Sequence, residues 1–271
     1  MLRRGDKVGV AVSGGKDSLS LLAVLHSLSA AGGYELVALT VDEGVKGYRE
    51  ESIQHADWLA NKLGVPHTTV SYKGLYGFDL DAALDWTDKR EVSSCSMCGV
   101  FRRRAIDEAA QQTGVDVIAT AHNLDDFVQT FMMNLMHGDV DRIGWLDPLI
   151  VDSNFPFRRV KPFMEVYEEE VALYAHLSGL PFQSRNCPYM HEGLRSEVRD
   201  YLNELESKHP GMKNTLLRSS LSVTAKISQA KTKEMIPCQS CGNPSSSGDC
   251  AVCRMQRLVM DHTTVPSSAD E

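Results

Sequence analysis

The stretch Ser13-Gly14-Gly15-Lys16-Asp17-Ser18 decides the fold. Ahead of it, Lys7-Val8-Gly9-Val10-Ala11-Val12 is a nearly continuous apolar run, the kind that forms a strand buried on both faces. Behind it, Leu21, Leu22, Leu25 and Leu28 recur at helical spacing, and Gly32-Gly33 closes the helix. Glycines between a strand and a helix let backbone N–H groups approach a polyanion, whose charge the helix N-terminus favours. Lys16, Ser13 and Ser18 add donors. The run is not a Walker A loop. That motif needs Gly where Val10 stands, and Ser or Thr where Asp17 stands. A bland reading, a Ser/Gly turn that only caps a helix, is disfavoured because strand and helix are both in place.

The pattern continues outward from this turn. Residues 35–41 read as a second strand, and 50–63 as a helix with Ile53, Ala56, Ala60 and Leu63 on one side, closed by Gly64-Val65-Pro66. A third strand is expected over 68–72, a stretch without pattern to about 94, a helix over 98–112, a fourth strand over 115–121, and a helix after Asp125. Strands alternating with helices predict an α/β fold with a parallel sheet, whose ligands bind at the carboxyl ends of the strands. After Pro162 the pattern is helical, over 165–178 and 193–208, with Pro181 and Pro188 between. The expected divisions are a nucleotide-binding domain over 1–163, a helical extension over 164–230, a cysteine module over 231–260 and a frayed tail over 261–271.

Composition narrows the function. The 271 residues are 42% hydrophobic and 24% charged, an ordinary globular balance. No apolar run is long enough to cross a bilayer, and Met1-Leu2-Arg3-Arg4 does not begin a secretory signal, so a cytoplasmic protein without a membrane partner is expected. The net charge of −8 argues against a nucleic-acid binder. From Pro210 to Met260, however, seven basic residues (Lys213, Arg218, Lys226, Lys231, Lys233, Arg254, Arg257) face two acidic ones, giving +5 there and −13 elsewhere. A solvated helix face is the simpler account of such a charge count. Seven cysteines without a secretory signal argue for metal or reactive thiols rather than disulfides.

Four constellations carry chemistry. Val41-Asp42-Glu43-Gly44-Val45-Lys46-Gly47-Tyr48-Arg49 follows the second strand, where a nucleoside is reached. Ala121-His122-Asn123-Leu124-Asp125-Asp126 follows the fourth. Asp125 and Asp126 are placed to hold Mg²⁺ or act as base, unless Asp125 only caps its helix. Cys95-Ser96-Met97-Cys98 opens a helix, where lowered thiol pKa values are expected, and Cys187 lies far downstream. With three body cysteines, a four-iron cluster would keep one iron without a cysteine ligand. A persulfide with a disulfide-forming partner, or zinc with an added histidine, stays open. Cys238, Cys241, Cys250 and Cys253, in two C-x2-C pairs, have the spacing of a closed structural zinc site.

The segment from Ser13 to Ser18 resembles the pyrophosphate loop, S-G-G-x-D-S, of enzymes that cleave ATP to AMP and pyrophosphate. Amidotransferase-type synthetases, NAD synthetases, lysidine synthetases and tRNA thiolases share it. Together with VDEGVKGYR (41–49), CSMCGVFRR (95–103), AHNLDD (121–126), KPF (161–163), NCPY (186–189) and the terminal cysteine quartet, the chain resembles the tRNA 2-thiouridine synthetases, relatives of the 2-thiocytidine synthetases. The resemblance spans about Val8 to Cys253. It implies the PP-loop, Rossmann-like fold with a helical extension and a C-terminal zinc knuckle. It implies ATP at Ala11, Val12, Ser13, Gly14, Gly15, Lys16, Asp17, Ser18, Val41, Asp42 and Ala121. It further implies Asp126 or Asp125 as catalytic carboxylate and Arg102 as a cation near the phosphates, where some relatives have Lys. A 4Fe-4S cluster would sit on Cys95, Cys98 and Cys187, and Zn²⁺ on the quartet. The implied activity is that of an ATP-dependent tRNA sulfurtransferase. It adenylates uridine O2 with Mg²⁺-bound ATP and then lets sulfur displace AMP, the sulfur coming from sulfide or a thiocarboxylated ubiquitin-like partner. Another PP-loop ligase or amidotransferase, or persulfide-based thiolation, is the alternative. A homodimer is the family habit. Relatives carry a second zinc module before the first strand; no cysteine precedes Lys7 here, so a lighter grip on tRNA is expected. GVFRR leans toward the anticodon-acting group.

Overall fold

Five short strands, β1 (Lys7–Ala11), β2 (Glu35–Asp42), β3 (His67–Ser71), β4 (Val117–Ala119) and β5 (Arg158–Val160), pair into one all-parallel sheet in the order β3-β2-β1-β4-β5. The computed structural model describes residues 1–87, 92–146, 157–189, 194–230 and 235–263. The strand order reverses between β1 and β4, and their carboxyl ends flank the crevice where an open parallel sheet binds its ligands. Alternation along the strands feeds two cores. Val8, Val10, Leu36, Ala38, Val117 and Ala119 point to one face, and Val37, Leu39, Val41 and Ile118 to the other.

The first face is covered by α1 (Lys16–Gly32), α2 (Arg49–Leu63) and α8 (Glu168–Leu177). The second is covered by α3 (Tyr72–Tyr76), α4 (Leu80–Trp86) and α5 (Ser94–Thr113). Gly33 and Gly64 end α1 and α2 in the left-handed conformation. Leu28 is exposed rather than packed, and in α2 it is Leu59, with Ala56 and Ala60, that fills the core. The patternless stretch holds α3 and α4, capped by the side chains of Ser71 and Asp79. Their Tyr72, Tyr76 and Phe78 form an aromatic cluster on Phe101. Helix α5 starts four residues earlier than expected, because the Ser93 hydroxyl accepts the Ser96 N–H.

A second layer grows from α6 (Leu124–Met136) and α7 (Val140–Gly144). Two further helices, α9 (Leu194–Lys208) and α10 (Met212–Ala230), pack on α6 through Leu124, Phe127, Val128, Val198, Leu202 and Leu217. Helix α10 was not legible in the sequence. Its buried residues Lys213, Leu217, Ser220 and Thr224 do follow helical spacing, but three of the four are polar. The strands β6 (Ile236–Pro237) and β7 (Pro244–Ser245) form a small hairpin, followed by α11 (Ala251–Thr263). Helix α11 runs past the expected end of the cysteine module, and its Val252, Met255 and Val259 pack against the core beneath α5.

Lys213 corrects the reading of the basic segment. Its ammonium is buried against the equally buried Asp125 and hydrogen-bonds Asn203 Oδ1 at 2.6 Å, so it is not offered to a phosphate. Lys231 and Lys233 lie outside the described residues. Removing one partner of a buried ion pair strands the other charge, which costs about 3–5 kcal/mol. Lys213→Ala is therefore expected to lower the thermal midpoint by several degrees. Lys213→Met combined with Asp125→Asn is expected to recover part of the loss, both read by calorimetry.

Candidate active site

The turn after β1 is shaped by steric necessity. Gly14 has φ +85°, and a Cβ there would lie 2.0 Å from the Ser52 carbonyl of α2. The Ser18 hydroxyl, one turn into α1, accepts the Ser13 N–H at 3.0 Å and donates to Gly15 O at 3.0 Å, folding the loop over its own helix terminus. Lys16 turns away from the crevice, to Asp17 and to Glu168 at the start of α8, both at 2.9 Å. Burial works against its charge, but those two carboxylates more than compensate and hold its pKa above the ordinary value.

Arg49 and Glu43 lock this loop to the end of β2. The buried Arg49 guanidinium donates to Ser13 O at 2.6 Å, to Ser52 Oγ at 2.7 Å and to Val41 O. Its Nε pairs with Glu43 Oε2 at 2.5 Å. The other Glu43 oxygen accepts from Arg102 Nε at 2.6 Å, and Arg102 Nη2 donates to Cys98 Sγ at 3.1 Å. Glu43 was quoted only as part of a motif, and neither it nor Arg49 was singled out. The signal that could have found them is their charge at the carboxyl end of a buried strand.

The two aspartates part company. Asp126 lines the crevice and closes a capping box with Asn123: the Asp126 N–H donates to Asn123 Oδ1 at 2.9 Å, and Asp126 Oδ2 accepts the Asn123 N–H at 3.3 Å. Burial pushes its carboxyl above the usual carboxylate range; the Asn123 N–H opposes this and Asp17 reinforces it. Asp125 points the other way, to Lys213 and to the Glu168 N–H at 2.8 Å, and does not line the crevice. Its role is to anchor α8 and α10.

The crevice measures about 240 Å³. Ala11, Val12, Ser13, Asp17, Ser18, Val41, Ala121, Arg102 and Asp126 line it. Gly14, Gly15, Lys16 and Asp42 do not; Asp42 Oδ1 instead accepts the Gly44 N–H at 2.9 Å and shapes the β2 turn. Thr120, expected inside β4, lies beyond its end and lines the wall with His122.

The body cysteines gather at one side. Cys95 and Cys98 share a face of α5, and Cys98 is buried under Arg102 and Tyr72, whose hydroxyl donates to Cys98 O at 2.8 Å. Burial pushes the Cys98 thiol up, against the expected lowering, although Arg102 opposes this. Cys187 arrives on the strap after α8. Gln183 donates its N–H to Gly14 O at 3.2 Å and its Nε2 to Tyr48 O at 2.6 Å, and Arg185 pairs with Glu51 at 2.7 Å. Two residues beyond Cys187, Tyr189 O accepts from Ser94 Oγ at 3.1 Å. The strap thus crosses from the glycine turn to the N-terminus of α5, close enough for Cys187 to act on the charges of Cys98 and Tyr48. Among the described residues the three do not close around a single ion, unlike Cys238, Cys241, Cys250 and Cys253, whose sulfurs lie within 4.8 Å of one another. The quartet could hold a metal ion.

A family model described as a PP-loop domain matches residues 3–205. Cytoplasmic tRNA 2-thiolation protein 1 of Chlamydomonas reinhardtii is 36% identical over 256 residues, 93% of this chain and 71% of that protein. Its counterpart in Saccharomyces cerevisiae (strain S288c) is 36% identical over 265 residues, 94% and 73% of the two chains. Among solved structures, the U34-tRNA thiolase NcsA from Methanococcus maripaludis, with its 4Fe-4S cluster, superposes with a TM-score of 0.82 at 32% identity, covering 94% of this chain and 82% of that one.

The Asp126 carboxyl is harder to ionise in the fold than in the unfolded chain, so ionising it near neutral pH weakens the fold. Asp126→Asn is therefore expected to raise the thermal midpoint at pH 7. That gain should shrink as pH falls through the raised folded pKa toward the ordinary one, a trend followed by melting curves at stepped pH.

Proposed function

This chain belongs to the PP-loop family of the cytoplasmic tRNA 2-thiolation proteins, and we propose that it is an ATP-dependent tRNA-uridine 2-sulfurtransferase working at uridine 34 in the cytoplasm. The observation that carries this reading is the strap that runs from the glycine turn to the start of α5 beside the crevice, with Cys187 two residues before its Tyr189 anchor on Ser94. The named position and the cluster of the archaeal thiolase, 32% identical, support the same assignment. No described helix is long and apolar enough to cross a membrane.

In this mechanism the loop amides and the Ser13 and Ser18 hydroxyls receive the ATP phosphates at the N-terminus of α1. Asp17 and Asp126 both line the crevice, where Asp17 would hold Mg²⁺ against the phosphates. Uridine O2 attacks the α-phosphorus, pyrophosphate leaves, and Asp126, made more basic by burial, takes the N3 proton. The O2-adenylate turns a poor leaving group into AMP, which sulfur displaces at C2. Arg102, permanently charged, stands between Cys98 and the crevice to stabilise the phosphate as AMP departs. A 4Fe-4S cluster on Cys95, Cys98 and Cys187 would supply the sulfur through the iron that has no cysteine ligand. The terminal quartet would hold Zn²⁺ and fix the hairpin to α11, with Arg254 and Arg257 on that helix near the tRNA backbone.

The test is nucleoside mass spectrometry on unmodified tRNA incubated, without oxygen, with reconstituted protein, ATP, Mg²⁺ and sulfide. The expected product is 2-thiouridine, lost to background with Cys187→Ala and reduced at least about 100-fold with Asp126→Asn. Release of AMP without a thiolated base would point to a PP-loop ligase instead. Metal analysis is expected to find about one zinc per chain, and its removal by a chelator is expected to lower the thermal midpoint.

A further inference from the structure

We propose that Glu43 is the positioning residue that joins the nucleotide end of the crevice to its cysteine end, by holding Arg102 against Cys98 Sγ. The inference rests on the sulfurtransferase reading for its chemistry and on this chain's own contacts for its geometry.

Glu43 directly follows β2 and is 3% exposed, yet it lines the crevice. One oxygen meets Arg49 at 2.5 Å and the other Arg102 at 2.6 Å. The two arginines differ in kind. Arg49 is buried and bound on every side, to Ser13 O, Val41 O and Ser52 Oγ, so it cannot leave. Arg102 has a side chain 51% exposed and, apart from Glu43, bonds only the Cys98 sulfur in the described structure. Glu43 is thus fixed by the buried guanidinium and steers the exposed one. Charge balance alone would not require the second contact, because a half-exposed arginine is satisfied by water. The second oxygen aims Arg102 at the place where the sulfur end and the phosphate end of the reaction meet.

Two positive groups and one negative leave a net +1; Glu43→Gln leaves +2 while keeping the shape. A polyanion is then bound more tightly, but Arg102 has lost its aim. The expected result is a split: thiolation turnover of Glu43→Gln falls about tenfold or more, while affinity for a non-hydrolysable ATP analogue rises about two- to fivefold. In an Arg102→Ala background, Glu43→Gln changes turnover by less than about twofold, whereas its affinity gain, a charge effect, persists. A merely structural Glu43 predicts weaker analogue binding along with lower turnover, and losses that multiply in the double variant; either result overturns the proposal. Should Glu43→Gln fail to fold, Glu43→Asp keeps the charge on a shorter arm. It is expected to lower turnover at unchanged affinity, again without effect beside Arg102→Ala; full turnover in Glu43→Asp overturns the relay. If the wild type makes no 2-thiouridine, the sulfurtransferase reading falls. The analogue-affinity measurement needs no tRNA and still separates a positioning Glu43, whose Gln variant binds more tightly, from a structural one, whose Gln variant binds more weakly.

Discussion

A guanidinium buried between two strand ends must find an acceptor for nearly every N–H it carries, and Arg49 finds them in Ser13 O, Val41 O and Ser52 Oγ, with Glu43 as its ion-pair partner at Nε. These bonds close the gap between the loop after β1 and the loop after β2. They also let Gly14 press on the Ser52 carbonyl, where any side chain would collide. Without that clamp the loop would have its sequence but no fixed curvature, and its N–H groups would not converge. The cost of burying the charge is offset by the carboxylate beside it, and that carboxylate's second oxygen is what reaches Arg102.

The helical layer serves the same crevice from the opposite side. Asp125 and Asp126 are adjacent in α6, yet a helix turns successive residues by about 100°, so they face different surroundings. Asp125 is held by Lys213 and by the α8 terminus, which fixes α6 against α8 and α10. Asp126 is left at the crevice wall with its capping bond to Asn123. The anchoring aspartate keeps the other where it is.

The strap after α8 shows how a distant cysteine is recruited. It has no regular structure over 180–187, and its course is fixed by side chain and backbone bonds to Gly14, Tyr48 and Glu51. The elements that position the nucleotide loop therefore also position Cys187. The quartet beyond β6 is independent of this strap but not of the domain, because α11 lays Val252, Met255 and Val259 on the core under α5.

The sequence by itself determined the features that are local. An apolar run, a glycine turn and a helical period declare β1, the loop and α1 without reference to anything else, and two C-x2-C pairs declare a four-thiolate site. The family resemblance carried by these motifs named nine of the crevice-lining residues, among them Ala11, Ser13, Ser18, Ala121 and Asp126. Only the tertiary structure decided which aspartate faces the crevice, that Lys16 turns to Glu168, and that α10 exists behind a polar buried face. It also decided that Glu43 stands between two arginines. Each of these depends on at least one partner more than about 40 residues away, or on burial of polar groups that a hydrophobic pattern reads as surface. Their identity follows from which atoms the fold brings within about 3 Å, a property of packing that no local window of sequence contains.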